Sequence, residues 1–408
     1  MTGPRDEQRA ASRRSVLRAA GGVAGSLGLA GVADPAAATT RQSDDAPDGW
    51  SARLPRNVRV ATRNLGLGAR LYGFVDTDSL RLDPMEVYER YQQVRSSAPE
   101  ARMEAIAAGL AEELPAVVGL QEVVRVRRGP NDYTGGSEPN AGQEVYDFLD
   151  LLTAGLEQAL DRYDFDVGYE VAAVSENLDE EFPAEGPDGE RFDVRLTDRD
   201  VVLVRDDLTA RRTDDGNYAL NVSAVLEDGT RVSVTRGYAL AEVEFEGAPF
   251  TVVTTHLAVA SRIVREVQAA ELAGVIERRE GPVILAGDLN TTPEGDQSAA
   301  YERLVDSGLR DVSAALTDEP GPTCCQGELL RNDRSWLRIR VDHVMTAGPV
   351  VPLAARRTDT DPEDRIEAVT PDGAEQLWPS DHAGVVADVR VEPRTRNPAA
   401  VLQGVLFG

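Results

Sequence analysis

Short apolar runs rich in β-branched residues recur along the whole chain, at positions 58–61, 116–120, 166–171, 201–204, 238–245, 250–255, 283–286, 340–345 and 384–391. A strand with one wet face alternates apolar and polar residues, whereas a run of roughly four to eight with little alternation marks a strand buried on both faces. Helical spacing fills the intervals at 84–113, 144–160, 262–279 and 297–307. Doubly buried strands need cover on each side, so the pattern predicts an α/β fold: a four-layered sandwich of two mixed β-sheets packed face to face, with helices outside. Gly, Pro and Asp dominate 182–191 and 318–327, which read as surface loops.

The residues able to do chemistry stand at the ends of these runs. Of the three histidines, His256 in Thr-Thr-His-Leu follows the 250–255 run and His382 in Ser-Asp-His precedes the last one. Imidazole is the side chain that changes charge near neutral pH, and this chain keeps it mainly beside strand-end acids. Asn64 follows 58–61, Glu122 follows 116–120, Asp288 and Asn290 follow 283–286, Asp342 lies within 340–345, and Asp381 adjoins His382. One edge of stacked sheets would gather them all, which is where α/β folds build their sites. Glu122, Asn64 and the Asp carboxylates are hard oxygen donors suited to Mg²⁺, Mn²⁺ or Ca²⁺. Cys324 and Cys325 are the only cysteines, too few for a zinc cage, and adjacent, so they form either a vicinal disulfide or two thiols.

Six motifs carry a resemblance: Asn64 in Ala-Thr-Arg-Asn-Leu, Glu122 in Gly-Leu-Gln-Glu-Val, Thr-Thr-His256-Leu, Gly-Asp288-Leu-Asn290, Arg-Val-Asp342-His and Ser-Asp381-His382. In this order they resemble the endonuclease/exonuclease/phosphatase superfamily, which includes deoxyribonuclease I, apurinic endonucleases, inositol polyphosphate phosphatases and neutral sphingomyelinases. The resemblance spans 56–392 and implies the same four-layered sandwich, with the site at one end of the paired sheets. It implies that Glu122 holds a divalent metal with help from Asn64, and that Asp381 lies near a metal. It implies further that Asp288 orients or deprotonates the attacking water and that Asn290 hydrogen-bonds the phosphate. His256 and His382 would stabilise the pentavalent transition state and assist the leaving oxygen, with Asp342 holding the ring of His382. Which histidine is the acid, and whether one or two metals act, stays open. His343 reads as a packing ring, and Asp200 as either a histidine support or a surface acid.

Composition bears on setting and partners. The net charge is −27, the pI about 4.5, and no lysine occurs, so all 43 basic residues are Arg. Such a surface suits high salt, where a Debye length of about 3 Å at 1 M removes its self-repulsion, and a halophilic source is expected. Arg125, Arg127 and Arg128 follow Glu122, and Arg331, Arg334, Arg338 and Arg340 lead up to Asp342. Arg125 and Arg338 therefore stand as candidate phosphate grips, the alternative being that each pairs with a neighbouring acid. Residues 1–38, with Ser12-Arg13-Arg14-Ser15 before a Gly/Ala-rich apolar run and Pro35-Ala36-Ala37-Ala38, read as a twin-arginine signal peptide. An acidic leader at 39–50, the catalytic domain at 51–393 and a C-terminal tail at 394–408 follow.

The expected protein is a secreted monomer without an integral membrane segment after signal removal or a stable protein partner. It would be a metal-dependent phosphodiesterase acting on nucleic acid. A sphingomyelinase or phospholipase C-like lipid phosphodiesterase is the rival enzyme, and a non-catalytic binding module the third reading. An inositol phosphatase is disfavoured for want of a lysine-rich headgroup pocket. Asn221 in Asn-Val-Ser is a candidate glycosylation position.

Overall fold

The computed structural model describes residues 56–69, 82–134, 138–225, 231–295 and 298–392, all within one compact unit, Ala52–Gly408. The elements begin with β1 (Arg56–Asn64), α1 (Pro84–Ser96), α2 (Pro99–Glu113), β2 (Val117–Gln121), β3 (Arg125–Gly129), β4 (Gln143–Asp147) and α3 (Phe148–Arg162). Next come β5 (Tyr169–Glu185), β6 (Arg191–Arg205), β7 (Thr209–Asn217), β8 (Val222–Val225), β9 (Arg231–Val234), β10 (Gly237–Phe245) and β11 (Ala248–Thr255). The second half holds α4 (Arg262–Glu277), β12 (Val283–Asp288), α5 (Ala300–Asp306), β13 (Arg310–Asp311), α6 (Val312–Leu316) and β14 (Asp342–Ala347). It closes with β15 (Val350–Thr358), β16 (Ile366–Thr370), β17 (Gly373–Leu377) and β18 (Gly384–Val391).

The expected sandwich is found. One sheet runs β15-β18-β1-β2-β6-β3-β4 with β5 paired to β6, and the other runs β13-β14-β12-β11-β10-β7. Between them lies an apolar layer in which Val58, Val60, Val117 and Val202 of the first sheet meet Ala241, Val252, Ile284 and Val344 of the second. The outer face of the first sheet is covered by α1, α2 and α3 through Val87, Met103, Ile106, Leu152 and Leu156. That of the second is covered by α4 and α5 through Leu272, Ile276 and Leu304. Each central strand is thus buried twice, which is why its sequence reads as an unbroken apolar run.

Three expectations about elements are corrected. The 84–113 helix is two, because Pro99 has no N–H to donate and Ala98 before it turns left-handed at φ 49°. The predicted helix at 144–160 starts only at Phe148. Asp147 accepts the Leu149 N–H at 2.9 Å as its cap, and the residues before it form β4. Residues 182–191 are not a loop: β5 runs through Glu185 and pairs with β6 across a short turn. The signal, leader and tail assigned to 1–38, 39–50 and 394–408 lie outside the described residues, among which no helix is long and apolar enough to cross a membrane.

His343 is a packing ring, as expected. It is buried, with Nδ1 3.0 Å from Asp311 Oδ2 and Nε2 3.2 Å from the Thr291 carbonyl oxygen, and Arg340 reaches the same Asp311 oxygen at 2.5 Å. Burial opposes the Asp311 charge, but His343 and Arg340 outweigh it and hold the carboxyl well below the usual range. Asp311→Asn is therefore expected to cost about 3–5 kcal/mol at neutral pH, because it leaves the largely buried Arg340 guanidinium without its acid. A carboxyl depressed in the folded state contributes stability above its unfolded pKa of about 4 and loses it as pH falls below that. Denaturant titrations should show the full deficit above about pH 5 and a shrinking one toward pH 3; a deficit that does not change with pH would refute the pairing.

Candidate active site

Strand register assembles the site. β1 and β2 run parallel and end together at Asn64 and Gln121, which places Glu122 just past the shared edge. β18 pairs antiparallel with β1, so its start, two residues after His382, lies at that same end. In the second sheet His256 bridges to Asp288, and Asp288 faces Asp342 across the β12–β14 pair. The sheets are tied beneath the site by a buried polar chain, Thr62 Oγ1 to Gln121 Oε1 at 3.1 Å and Gln121 Nε2 to Thr254 Oγ1 at 2.8 Å.

Asp288 is the hub. Its Oδ1 accepts the Asn290 N–H at 2.9 Å, and its Oδ2 accepts Asn64 Nδ2 at 3.0 Å while lying 3.6 Å from His256 Nε2 and 3.7 Å from His382 Nδ1. The surroundings push the two rings in opposite directions. Burial works against the charged form of His382, but Asp342 at 2.9 Å, with Asp381 and Asp288 beyond it, raises its pKa well above the ordinary value. Burial and then the nearby Arg236 guanidinium push His256 far below it. Arg236 Nη1 stands 3.2 Å from His256 Nδ1, and a guanidinium only donates, so Nδ1 accepts and Nε2 keeps the proton, facing Asp288. Asp200 Oδ2 accepts the backbone N–H of His256 at 3.0 Å, and Asp198 pairs with Arg236 at 2.8 Å. Asp200 is thus a buried support, not a surface acid. Burial and then Asp342 raise Asp288 to about 6.

Glu122 adopts φ 51° and Asn290 φ 48°, left-handed conformations that cost a non-glycine residue stability and cluster where function requires them. Glu122 accepts the Leu67 N–H at 2.8 Å and Asn64 Nδ2 at 3.3 Å. Burial, then Asp381 and Asp198, push its carboxyl up to about 7. Neither Glu122 nor Asp381 makes an ion pair among the described residues, though Arg102 lies near enough to be felt. Two facing carboxylates with hard oxygens and no paired cation fit a divalent metal. Asn64 fits only in part, since its Oδ1 is used by the Gly66 N–H at 2.9 Å. Gly66, at φ 66°, is required here: a Cβ would sit 2.5 Å from Asp381 Oδ1. Arg102, fully buried, braces this wall by donating to Pro379 O at 2.8 Å, Ser97 Oγ at 2.9 Å and the carbonyl oxygens of Leu65 and Gly66.

Glu122, His256, Asp288, Asn290, Asp381 and His382 line one cleft of about 290 Å³, together with Arg236, Cys324 and Cys325. The cysteines are joined as a vicinal disulfide. Their loop is a clamp as well as a wall. Thr323 Oγ1 accepts the N–H groups of Val341 and Asp342 at 3.1 Å, while Gln326 N donates to Asp381 O at 2.8 Å. Asp342 sits behind the cleft, on His382. Arg125 is not brought to this cleft: it pairs with Glu144 at 2.8 Å and with Asp147 at 3.6 Å across β3–β4. Arg338 is exposed on the neighbouring segment, whose backbone N–H bonds Cys324 O at 2.7 Å. The Asn221 amide donates to Tyr218 O at 2.6 Å and accepts from Arg236 N at 2.8 Å. Sequence reasoning missed Arg102, Asp198 and the partnership of Arg236 with His256. Only the placement of Arg102 on the apolar face of α2 could have flagged one of them.

The fold and the motif order define a class, the α/β sandwich hydrolases of phosphoesters. The model of the Endonuclease/Exonuclease/phosphatase family matches residues 90–382, and the chain belongs to that family, whose members hydrolyse phosphoesters. Glu122, His256, Asp288, Asn290, Asp342, Asp381 and His382 fall inside the match and Asn64 outside it. A solved family protein from Bacteroides thetaiotaomicron is similar at TM-score 0.50 and 16% identity, covering 83% of this chain and 100% of that one. A mannosyl-6-phosphatase of the same species reaches TM-score 0.48 at 16% identity, over 81% of this chain and 99% of that one. D. rerio TDP2 complexed with a single strand DNA product reaches 0.44 at 14%, over 82% and 98%. At such identities the likeness speaks for the fold alone. Comparison with curated proteins returns no match.

Proposed function

We propose that this chain is an exported, divalent-metal-dependent phosphodiesterase that cleaves nucleic acid by water attack on phosphorus. The observation that carries the reading is the pair of buried histidines, both within 3.7 Å of Asp288 Oδ2, whose surroundings push their pKa values in opposite directions. Phosphoryl transfer needs donors aimed at charge growing on oxygen and a proton for the leaving group. His382, held protonated by Asp342, supplies that proton, and the Nε2–H of neutral His256 supplies a donor. Asp288, once ionised, orients the water and takes its proton. Asn290 keeps one amide N–H for the phosphate while the other is held by Leu257 O at 2.9 Å. Glu122 and Asp381, with Asn64 beside them, would hold the metal, which when bound withdraws charge from the phosphate oxygens.

Nucleic acid is favoured by the segment that abuts the cleft at Cys324. Arg334, Trp336 and Arg338 are exposed there, and neither arginine makes an ion pair among the described residues. Guanidinium groups beside a free indole suit phosphates alternating with stackable bases. A lipid phosphodiesterase is the second reading, favoured by exposed Val259 on the cleft wall and exposed Ile263 and Leu329 close by in sequence. Export rests on the twin-arginine pattern of the first 38 residues, and salt tolerance on the net charge of −27.

The test is hydrolysis of bis-p-nitrophenyl phosphate, plasmid DNA and sphingomyelin vesicles in ~2 M salt with Mg²⁺ or Mn²⁺, high salt being chosen to screen the acidic surface. Cleavage of the small diester and of DNA is the expected result. Cleavage of the diester and the vesicles but not of DNA would replace the nuclease by a lipid phosphodiesterase, and no turnover at all would overturn the enzymatic reading.

A further inference from the structure

A second carboxylate cluster lies away from the cleft. Oxygens of Asp132, Glu181 and Asp193 come within 4.8 Å of one another. Glu181 stands on β5 and Asp193 on β6, both buried, while Asp132 is exposed on the loop between β3 and β4. Asp200, which supports His256, is seven residues further along β6 from Asp193, roughly 23 Å at ~3.3 Å per residue.

Among the described residues neither Glu181 nor Asp193 makes an ion pair, although Arg195 lies near enough for its charge to be felt at Glu181. Glu181 Oε2 accepts the N–H groups of Asn140 at 2.6 Å and Ala141 at 2.8 Å. Asp193 Oδ2 accepts those of Asp132 at 2.8 Å and Tyr133 at 2.7 Å, and its Oδ1 accepts Asn131 Nδ2 at 3.2 Å. Arg195, opposite Glu181 in the strand register, is spent on Asp179 and on Pro139 O. Glu181 Oε1 is buried with no hydrogen-bond partner. A carboxylate oxygen at that depth is normally paired with a cation or satisfied by donors, and this one, on the residue that completes the cluster, has neither.

We propose that Asp132, Glu181 and Asp193 form a structural calcium site that fastens the turn carrying Asn131–Tyr133 to the β5–β6 hairpin. Two oxygens on opposite sides of a calcium ion at about 2.3–2.6 Å stand about 4.6–5.2 Å apart, so the observed spread lets all three reach one ion. Mg²⁺, with bonds of about 2.0–2.1 Å and a reluctance to lose water, fits less well. The side-chain amides of Asn131 and Asn140, which border the cluster, offer carbonyl oxygens on turning over. Asp132 gives the ion a route from solvent.

The site can be read independently of the cleft in full-length Glu122→Gln protein stripped with chelator. Tb³⁺, a calcium mimic, should bind and be excited through tyrosine, Tyr133 adjoining Asp132. Ca²⁺ should displace it with an affinity in the range of about 10⁻⁴–10⁻³ M typical of extracellular sites. Calcium at a hundredfold excess over Kd should raise Tm by roughly 5 °C. Asp132→Asn, at an exposed position that leaves the fold alone, and Glu181→Gln should each weaken calcium binding at least tenfold and remove the Tm response. A calcium response unchanged in Asp132→Asn, or no response in the parent, would overturn the assignment.

Discussion

Asp288→Asn is expected to lower kcat by about 10³–10⁴-fold while the protein remains folded. The size follows from how many groups the carboxylate organises. It receives Asn64 and the backbone of Asn290, and it is the nearest acid to His256 Nε2. The amide keeps the shape but accepts no proton, and it withdraws one of the charges that hold His382 protonated. Stability should move the other way. Asp288 is raised to about 6 when folded against about 3.9 unfolded, so the folded state binds this proton more tightly, and stability falls as pH rises through that window. In chelator, the variant should therefore match the parent near pH 4 and exceed it near pH 8 in denaturant midpoint. Wild-type turnover would remove Asp288 from the chemistry, and an equal shift at both pH values would remove the strain argument.

Much of this site was legible because strand ends advertise it. The runs at 201–204, 250–255, 283–286 and 384–391 are buried twice, so their apolar character does not depend on context, and the polar residue beside the site end of each, Asp200, His256, Asp288 or His382, lands at the shared edge. The polar edges of the sheets were not legible. β3 reads Arg-Val-Arg-Arg-Gly and β7 is exposed along nearly all its length, and nothing in either sequence distinguishes a paired strand from a solvated loop. The buried charges failed for a related reason. Arg102 donates to Pro379, 277 residues away, and Arg236 is buried because Asp198 and His256 arrive from other strands. Among 43 arginines and 70 acids, each of these looks like any surface charge until the fold brings its partner. The same holds in reverse for Arg125, whose position after Glu122 suggested a phosphate grip but whose neighbours in space are Glu144 and Asp147.

Chelation should abolish turnover, by about 10³-fold or more, with Mg²⁺ or Mn²⁺ restoring it, since metal stabilisation of charge on phosphate oxygens is worth several kcal/mol. Glu122→Gln should reproduce most of that loss and raise the metal concentration needed for half-maximal rate. Glu122 sits half-buried in a left-handed backbone conformation beside Asp381, with its carboxyl pushed up to about 7. A position so unfavourable to a free carboxylate fits one that a bound cation would stabilise. Binding must then displace the proton, so apparent metal affinity should weaken as pH falls below about 7 in the parent, whereas Glu122→Gln should lose that dependence. Asn64→Ala should cost less than Glu122→Gln, because Asn64 Oδ1 already serves Gly66 and its role is to orient Glu122 and Asp288. Turnover that survives chelation, or a Glu122→Gln enzyme with the parent's metal requirement and pH dependence, would show that this acid pair holds no ion and that its strain has another origin.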